Sequence, residues 1–276
     1  MNPLTPGEET MIASLARQVR DGDQAACGTL SAMPAAALWL AQLTHAPRAE
    51  VFVAGSSDWP FEGEWQGFFD FAQQGRLQVF FLSGAQIDGQ GNINLMAVGD
   101  YQQPQVRLPG GAGSAILAYV VERVVLFKTV HEPRGLVPRV DVVTAPGYTP
   151  QLSPRQRPGQ VICLVTPMCA FEFAPPDPPI LASLHPGVTL EEVRQLTGFE
   201  FNASTEIAVT PALTPEAREL LYGPVKEKLA QVYPQFAARM VVLCAWEPSR
   251  RLKALLSSAR ANTPTKKRGL VKQLPA

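Results

Sequence analysis

Phe81-Leu82-Ser83-Gly84-Ala85-Gln86-Ile87-Asp88 carries an apolar strand into a glycine turn, and Gly91-Asn92-Ile93-Asn94 follows at once. Downstream come Arg107-Leu108-Pro109-Gly110-Gly111-Ala112-Gly113, then His131-Glu132-Pro133-Arg134, Val140-Asp141 and Ala145-Pro146-Gly147. Each alone is an unspecific glycine-rich pattern. Their order and spacing decide the reading of the chain. Asp and Asn beside Gly favour turns closed by side-chain hydrogen bonds. Gln86, Asp88, Asn92 and Asn94 therefore brace a site floor or touch a ligand, and the residues alone leave both open.

Around this block, short apolar strands alternate with helices. Glu8 to Arg20 puts Met11, Ile12, Leu15 and Val19 on one helical face. Pro34 opens an alanine-rich helix to about Thr44, proline being tolerated in a first turn. Val51-Phe52-Val53 is a short strand closed by Gly55-Ser56-Ser57, Trp65 to Gln74 an amphipathic helix, and Leu77 to Leu82 a buried strand. Val120 to Val130, Val140 to Thr144, Gln160 to Val165 and Cys169 to Phe173 read as further strands between proline- and glycine-rich turns. Leu190 to Leu196 is a short helix, with Thr189 and Glu192 spaced as a capping box. The expected fold class is α/β: an open, largely parallel sheet covered by helices.

The chain has 276 residues, 46% hydrophobic and 17% charged, enough apolar material for a core and too little charge for disorder. Zero net charge disfavours generic nucleic-acid binding, which calls for a basic excess. No apolar run reaches the roughly 18–20 residues that span a bilayer. Met1 to Thr10 lacks the basic and apolar regions of a secretory signal. Cys27, Cys163, Cys169 and Cys244 form no Cys-x-x-Cys pair, so no metal site is expected. Buried, reduced thiols in a cytoplasmic protein are the plain expectation.

From about Pro211 the character changes. A helix starts at Thr214-Pro215-Glu216 and runs to about Val232, Met240 to Trp246 is apolar, and the rest is basic. We expect one domain over residues 1–210 and a divergent helical segment with a basic tail over 211–276.

The ordered motifs resemble the β subunit of the glutaconate-type, class I CoA-transferases. The resemblance covers about Gly28 to Phe201. Its other marks are Met33-Pro34-Ala35-Ala36-Ala37, Thr44-His45-Ala46-Pro47, Leu184-His185-Pro186-Gly187-Val188-Thr189 and Thr197-Gly198-Phe199. It implies a CoA-transferase-like sheet, an α subunit as partner (an α2β2 assembly), a coenzyme A thioester as substrate and no permanently bound cofactor. It also implies a glutamate nucleophile, which forms an acyl anhydride and then a glutamyl thioester, so that modest barriers replace one large one.

That glutamate belongs in a Glu-Ser-Gly or Glu-Ala-Gly sequence at the end of the strand after the His-Ala-Pro turn. Here the spacing puts Ala54 in its place, followed by Gly55 and Ser56. An alanine methyl forms no anhydride. Asp58, Glu62 and Glu64 are nearby acids that would have to substitute, and Glu50 lies before the strand. The second glycine motif departs too: Gly110-Gly111-Ala112-Gly113-Ser114-Ala115-Ile116 replaces Gly-Ser-Gly-Gly-Ala-Asn-Asp and loses its terminal polar pair. Backbone amides in such turns can approach an oxyanion because no side chain blocks them. Gly84, Gln86, Asn92, Gly110, Gly111 and Gly113 are the candidate CoA and acyl contacts. Three functions stay open: transfer with a carboxylate from elsewhere, a site repurposed for acyl-CoA hydrolysis or decarboxylation, and a non-catalytic scaffold subunit.

Overall fold

Val79-Phe80-Phe81-Leu82 is buried at every position, which a strand tolerates only when both sheet faces are covered. In the computed structural model, which describes residues 2–61, 65–150, 152 and 159–241, this segment lies inside an eight-stranded sheet with helices on both faces. The first half runs α1 (Pro6–Ala16), β1 (Gln24–Cys27), α2 (Ala32–Leu43), β2 (Glu50–Val53), α3 (Trp65–Gln73) and β3 (Val79–Leu82). Two small hairpins follow, β4 (Gln86–Ile87) with β5 (Ile93–Asn94) and β6 (Ala97–Val98) with β7 (Val106–Arg107). Then come α4 (Ser114–Val120), β8 (Arg123–Phe127), β9 (Gln160–Val165), β10 (Cys169–Glu172), β11 (Ile180–Leu184), α5 (Leu190–Leu196) and β12 (Asn202–Val209). Helices α6 (Pro215–Leu220), α7 (Lys226–Val232) and α8 (Pro234–Arg239) close the described chain, with a π-helical turn over Leu221–Val225 between the first two.

The sheet order is β12-β11-β10-β9-β8-β3-β1-β2. The run from β2 to β9 is parallel, β10 is antiparallel to both its neighbours, and β12 is again parallel to β11. The expected largely parallel α/β sheet is thus present. Among β2, β1, β3, β8 and β9 the order is the 2-1-3-4-5 type, whose switch point lies between β1 and β3. Helix α2 follows β1 into the core that contains α1, α7 and α8, while α3 follows β2 into the core that contains α4. The two connections leave the sheet on opposite faces and open a crevice at the carboxyl ends of the strands.

Local chemistry sets the helix starts. Thr5 and Thr189 each form a full capping box, with Glu8 and Glu192 respectively. Thr214 accepts a hydrogen bond from Ala217 N ahead of Pro215. Near the amino ends of the strands, Arg123 and Asp23 form a buried ion pair at 2.6 Å.

Two expectations change. The apolar run from Val120 divides: Val120 ends α4, and the strand begins only at Arg123. Val140 to Thr144 is not a strand, because side chains hold its backbone: Val140 N donates to Asp88 and Asp141 N to Gln86. Within residues 211–241 of the segment expected to diverge, Leu221, Val225, Leu229, Ala237 and Met240 lie in one core with α1 and α2, and the first compact unit ends at Val241. Cys27, Cys163 and Cys169 are buried free thiols, which burial pushes up to about 12 for Cys163 and Cys169 and higher for Cys27. Cys244, the Met240 to Trp246 run past Val241 and the basic tail lie outside the described residues.

Candidate active site at the carboxyl ends of the parallel strands

The crevice between the ends of β1 and β3 is where an open parallel sheet binds ligands, because loops leave it in opposite directions. Ala54 lies beside it, directly after β2. Its N–H donates to Cys27 O at the end of β1 (3.2 Å), and it is 3% exposed. Gly55 follows with φ +83°, a left-handed conformation that disfavours side chains, and Ser56 N donates to Val53 O to close the turn. A Cβ at Gly55 would meet Val232 of α7 at 3.7 Å. The last helices thus reach this turn.

No described acid stands at the Ala54 turn, where the resemblance leads to the expectation of a glutamate. Asp58 is mostly exposed and sits 3.7 Å from Lys228 Nζ, a surface pair of small energetic weight. Glu50 stands at the opposite end of β2 and accepts from Gln24 Nε2. Ala54 lies four residue steps along the strand from it, about 13 Å at ~3.3 Å per residue. Glu62 and Glu64 lie outside the described residues. Ser56 is half-buried within its turn and has no described base.

The polar residues behind β3 form a closed network. Asp88 accepts from Gln90 N (3.0 Å), Asn92 N (3.1 Å), Asn92 Nδ2 (3.0 Å) and Val140 N (3.3 Å). Asn92 Oδ1 accepts from Gly147 N, which ties the turn to Ala145-Pro146-Gly147. Gln86 donates to Asp141 and accepts from Asp141 N and Asn94 Nδ2, and Asn94 also holds the backbone of Met96 and Ala97. All four side chains are buried. Their geometry is that of a brace, the structural side of the alternative left open by the sequence. Gly84 belongs to it by close approach, since a Cβ there would lie 2.8 Å from Gln86 O. Lys128, at the end of β8, donates to the Gly84 and Ala85 carbonyls at 2.7 and 2.8 Å, and burial lowers its pKa.

The second glycine turn is different, because its donors are not all used. Gly110 N donates to Leu95 O and Ser114 N to Gly111 O. The N–H groups of Gly111, Ala112 and Gly113 have no partner among the described residues. Ser114, 5% exposed, has a buried Oγ with no partner either. That oxygen lies 3.1 Å from where a Gly111 Cβ would be, so it points back into the turn. Thr144 closes one side against Gly111 and the Phe69 ring closes the other against Gly113. Phe69 stacks on Trp65, whose cluster includes Trp59 beyond the Ala54 turn, so an aromatic layer connects the two turns.

His131 is buried, with Nδ1 2.9 Å from Thr166 Oγ1 and Nε2 2.9 Å from Thr197 Oγ1. His185, 1% exposed, has no hydrogen-bond partner of good geometry for either ring nitrogen, although the Pro167 carbonyl lies close enough to offset burial in part. Burial pushes both imidazoles down to about 4, and for His131 the charge on His185 adds to this. Arg134 is exposed and pairs with Glu132. Among the described residues no cluster of His, Cys, Asp or Glu could hold a metal ion. A groove of about 550 Å³ opens elsewhere, between Glu50, Phe52, Phe61 and Arg76, and Glu50 is the one described acid considered above that lines it.

Two features here had no usable sequence signal. Lys128 follows an apolar strand as any solvent-facing lysine would. The Tyr233 hydroxyl, which reaches Gly28 O and Ser31 N at the end of β1, belongs to the segment beyond the recognised motifs.

The family model for coenzyme A transferase matches residues 52–196. The chain belongs to the coenzyme A transferase family. The B-type subunit of the 3-oxoadipate CoA-transferase of Pseudomonas knackmussii is 31% identical over 239 residues, covering 77% of this chain and 90% of that one. The cholesterol ring-cleaving hydrolase IpdB subunit of Rhodococcus jostii is 33% identical over 175 residues, 59% of this chain and 65% of its own. The crystal structure of the decarboxylase AibA/AibB superimposes with a TM-score of 0.67 at 28% identity, over 86% of this chain and 98% of that one. The motif-based recognition stands, and it extends to relatives named as transferase, hydrolase and decarboxylase.

Proposed function

We propose that this family member is the B-type subunit of a two-chain enzyme acting on an acyl-CoA thioester, and that no acyl group is carried on residue 54. The observation that carries the reading is Ala54, buried at the turn where the anhydride-forming carboxylate would stand, with no described acid replacing it. Gly111 and Gly113 present backbone N–H groups to the thioester carbonyl in the turn that Gly110 opens with φ +103°, while Gly84, Gln86 and Asn92 shape the floor on which the thioester lies. Preorganised donors stabilise charge that develops on the carbonyl oxygen, whichever bond is then broken. Such assistance serves hydrolysis or decarboxylation without a covalent intermediate, and the base or nucleophile comes from the A-type partner.

The relatives' names support the two-chain reading, since each is named as one subunit of an enzyme or as a pair of chains. We assign an α2β2 arrangement, a cytoplasmic setting consistent with buried free thiols, and coenzyme A only as part of the substrate. Among the described residues no helix is long and apolar enough to cross a membrane. The test incubates the co-purified complex with an acyl-CoA panel and isotopically labelled carboxylates, followed by mass spectrometry. Acyl-CoA consumption without a labelled thioester is expected, the product mass separating hydrolysis from decarboxylation. Label in a new CoA thioester would restore transfer and place its carboxylate on another residue or chain.

A further inference from the structure

The loop Gly28-Thr29-Leu30-Ser31 leaves the end of β1 at the crevice and projects a leucine in an unfavourable state. Leu30 has φ +59°, in the left-handed region where a Cβ crowds the backbone, and it is 92% exposed. Nothing within the described chain compensates the side chain for either condition. The loop is nevertheless held in place. Tyr233 Oη donates to Gly28 O at 3.2 Å and lies 3.4 Å from Ser31 N, which donates to it. Ser31 Oγ donates to Thr29 O, and Ala35 N donates to Ser31 O as α2 begins. A second apolar tip, Val130, is 53% exposed just beyond the end of β8. Only β3 lies between β1 and β8, so the two strands stand roughly 10 Å apart on the same rim of the sheet.

We propose that Leu30, supported by Val130, is the anchor through which this chain docks its A-type partner subunit over the crevice; this rests on the two-chain reading above. Strained, exposed, rigidly held residues point to function when the surrounding structure maintains them. The shape selects the occupant. Small ligands are taken up in concave pockets, whereas a projecting apolar side chain fills a pocket on another protein. The position agrees, because Ala54 leaves the site without a nucleophile and the partner must stand close enough to supply the chemistry. Tyr233 acts as the positioning residue that keeps the tip presented.

Leu30→Gly separates docking from folding, because glycine removes the side chain and relieves the backbone. Full-length wild type, Leu30→Gly and Leu30→Asp are titrated with the A-type partner by calorimetry, and each chain is melted alone. Leu30→Gly is expected to melt at the wild-type temperature or up to about 2–4 °C higher, while binding the partner about 30-fold more weakly, the size of a lost anchor. Leu30→Asp binds more weakly still. Partner affinity within about twofold of wild type for both variants overturns the proposal and leaves the two-chain reading intact. A Leu30→Gly melt well below wild type also overturns it, since the side chain would then pack within the chain. Wild type that fails to bind the A-type partner, or that only pairs with a second copy through Leu30, overturns the two-chain reading as well.

Discussion

Asp88→Asn tests whether the polar block behind β3 is a brace. Four N–H groups converge on the buried carboxylate, two on each oxygen. An amide keeps one accepting oxygen and turns its NH2 toward the other pair of donors. The longest contact, from Val140 N at 3.3 Å, lies on Oδ2, so the NH2 settles there and faces Asn92 Nδ2 and Val140 N. Asn92 cannot flip to rescue its half without removing the acceptor of Gly147 N. Two buried donors lose their partner at about 1–3 kcal/mol each, a loss near 4 kcal/mol. At about 2–4 °C per kcal/mol for a unit of this size, the melting temperature falls by roughly 8–16 °C. Asp100→Asn is the control, since Asp100 accepts from Gln102 N and Gln103 N in an exposed turn where water replaces the carboxylate; its effect stays within about 0.5 kcal/mol. Calorimetric melts of the full chain read both variants. An Asp88→Asn melt within about 2 °C of wild type, or an equal loss in Asp100→Asn, refutes the brace.

Arg123→Met strands the buried Asp23 carboxylate and is expected to cost about 3–5 kcal/mol in urea unfolding; pairing it with Asp23→Asn recovers part of the loss, and no recovery would show that the charges do not act together. His131 and His185 are held down to about 4 in the folded chain. The unfolded chain, titrating near about 6.5, therefore binds more protons between those values. Stability is full above about pH 6.5 and declines as pH falls toward about 4. His185→Leu, which removes two buried nitrogens without partners, flattens that decline, and an unchanged slope in urea unfolding between about pH 7 and pH 5 contradicts the assignment. Ala54→Glu alone leaves labelled-carboxylate transfer at background, because burial disfavours the ionised carboxylate that must attack; a gain of about tenfold or more, ~1.4 kcal/mol in barrier, contradicts this.

What the sequence made legible follows the physics of each segment. Thr189-x-x-Glu192 predicts a helix start because both ends of the box lie within a few residues, and α5 begins there. Ala115 to Phe127 resists division because helix and strand periods cannot be told apart in a short apolar run. β1 is Gln-Ala-Ala-Cys, whose alanines give no strand signal; its neighbours β2 and β3 make it a strand. Edge strand β12 hides in the polar run Asn202 to Val209. At the site, spacing alone places Ala54, and the turn after β2 accommodates it. The brace and the unused donors of the glycine turn depend on contacts from residues up to 55 positions apart, so their chemistry is legible in the chain and their use is not.

Retained motifs weigh differently once their energetics are separated. The Asp88 and Gln86 contacts stabilise the fold whatever the chain does, so their presence says little about activity. Ser114 argues the other way. A buried hydroxyl without a partner costs stability, and a ligand that accepts its hydrogen bond makes good the loss. Ser114→Ala therefore leaves the melting temperature unchanged or slightly raised, since its hydroxyl makes no hydrogen bond among the described residues. In the assembled enzyme the same change removes a donor aimed into the glycine turn, and turnover of acyl-CoA falls by about 10²-fold, the scale for one oxyanion donor. Melting and turnover measured on one preparation separate the two accounts. A destabilised Ser114→Ala chain with turnover unchanged would make the hydroxyl a structural contact, and the glycine turn would then serve the fold alone.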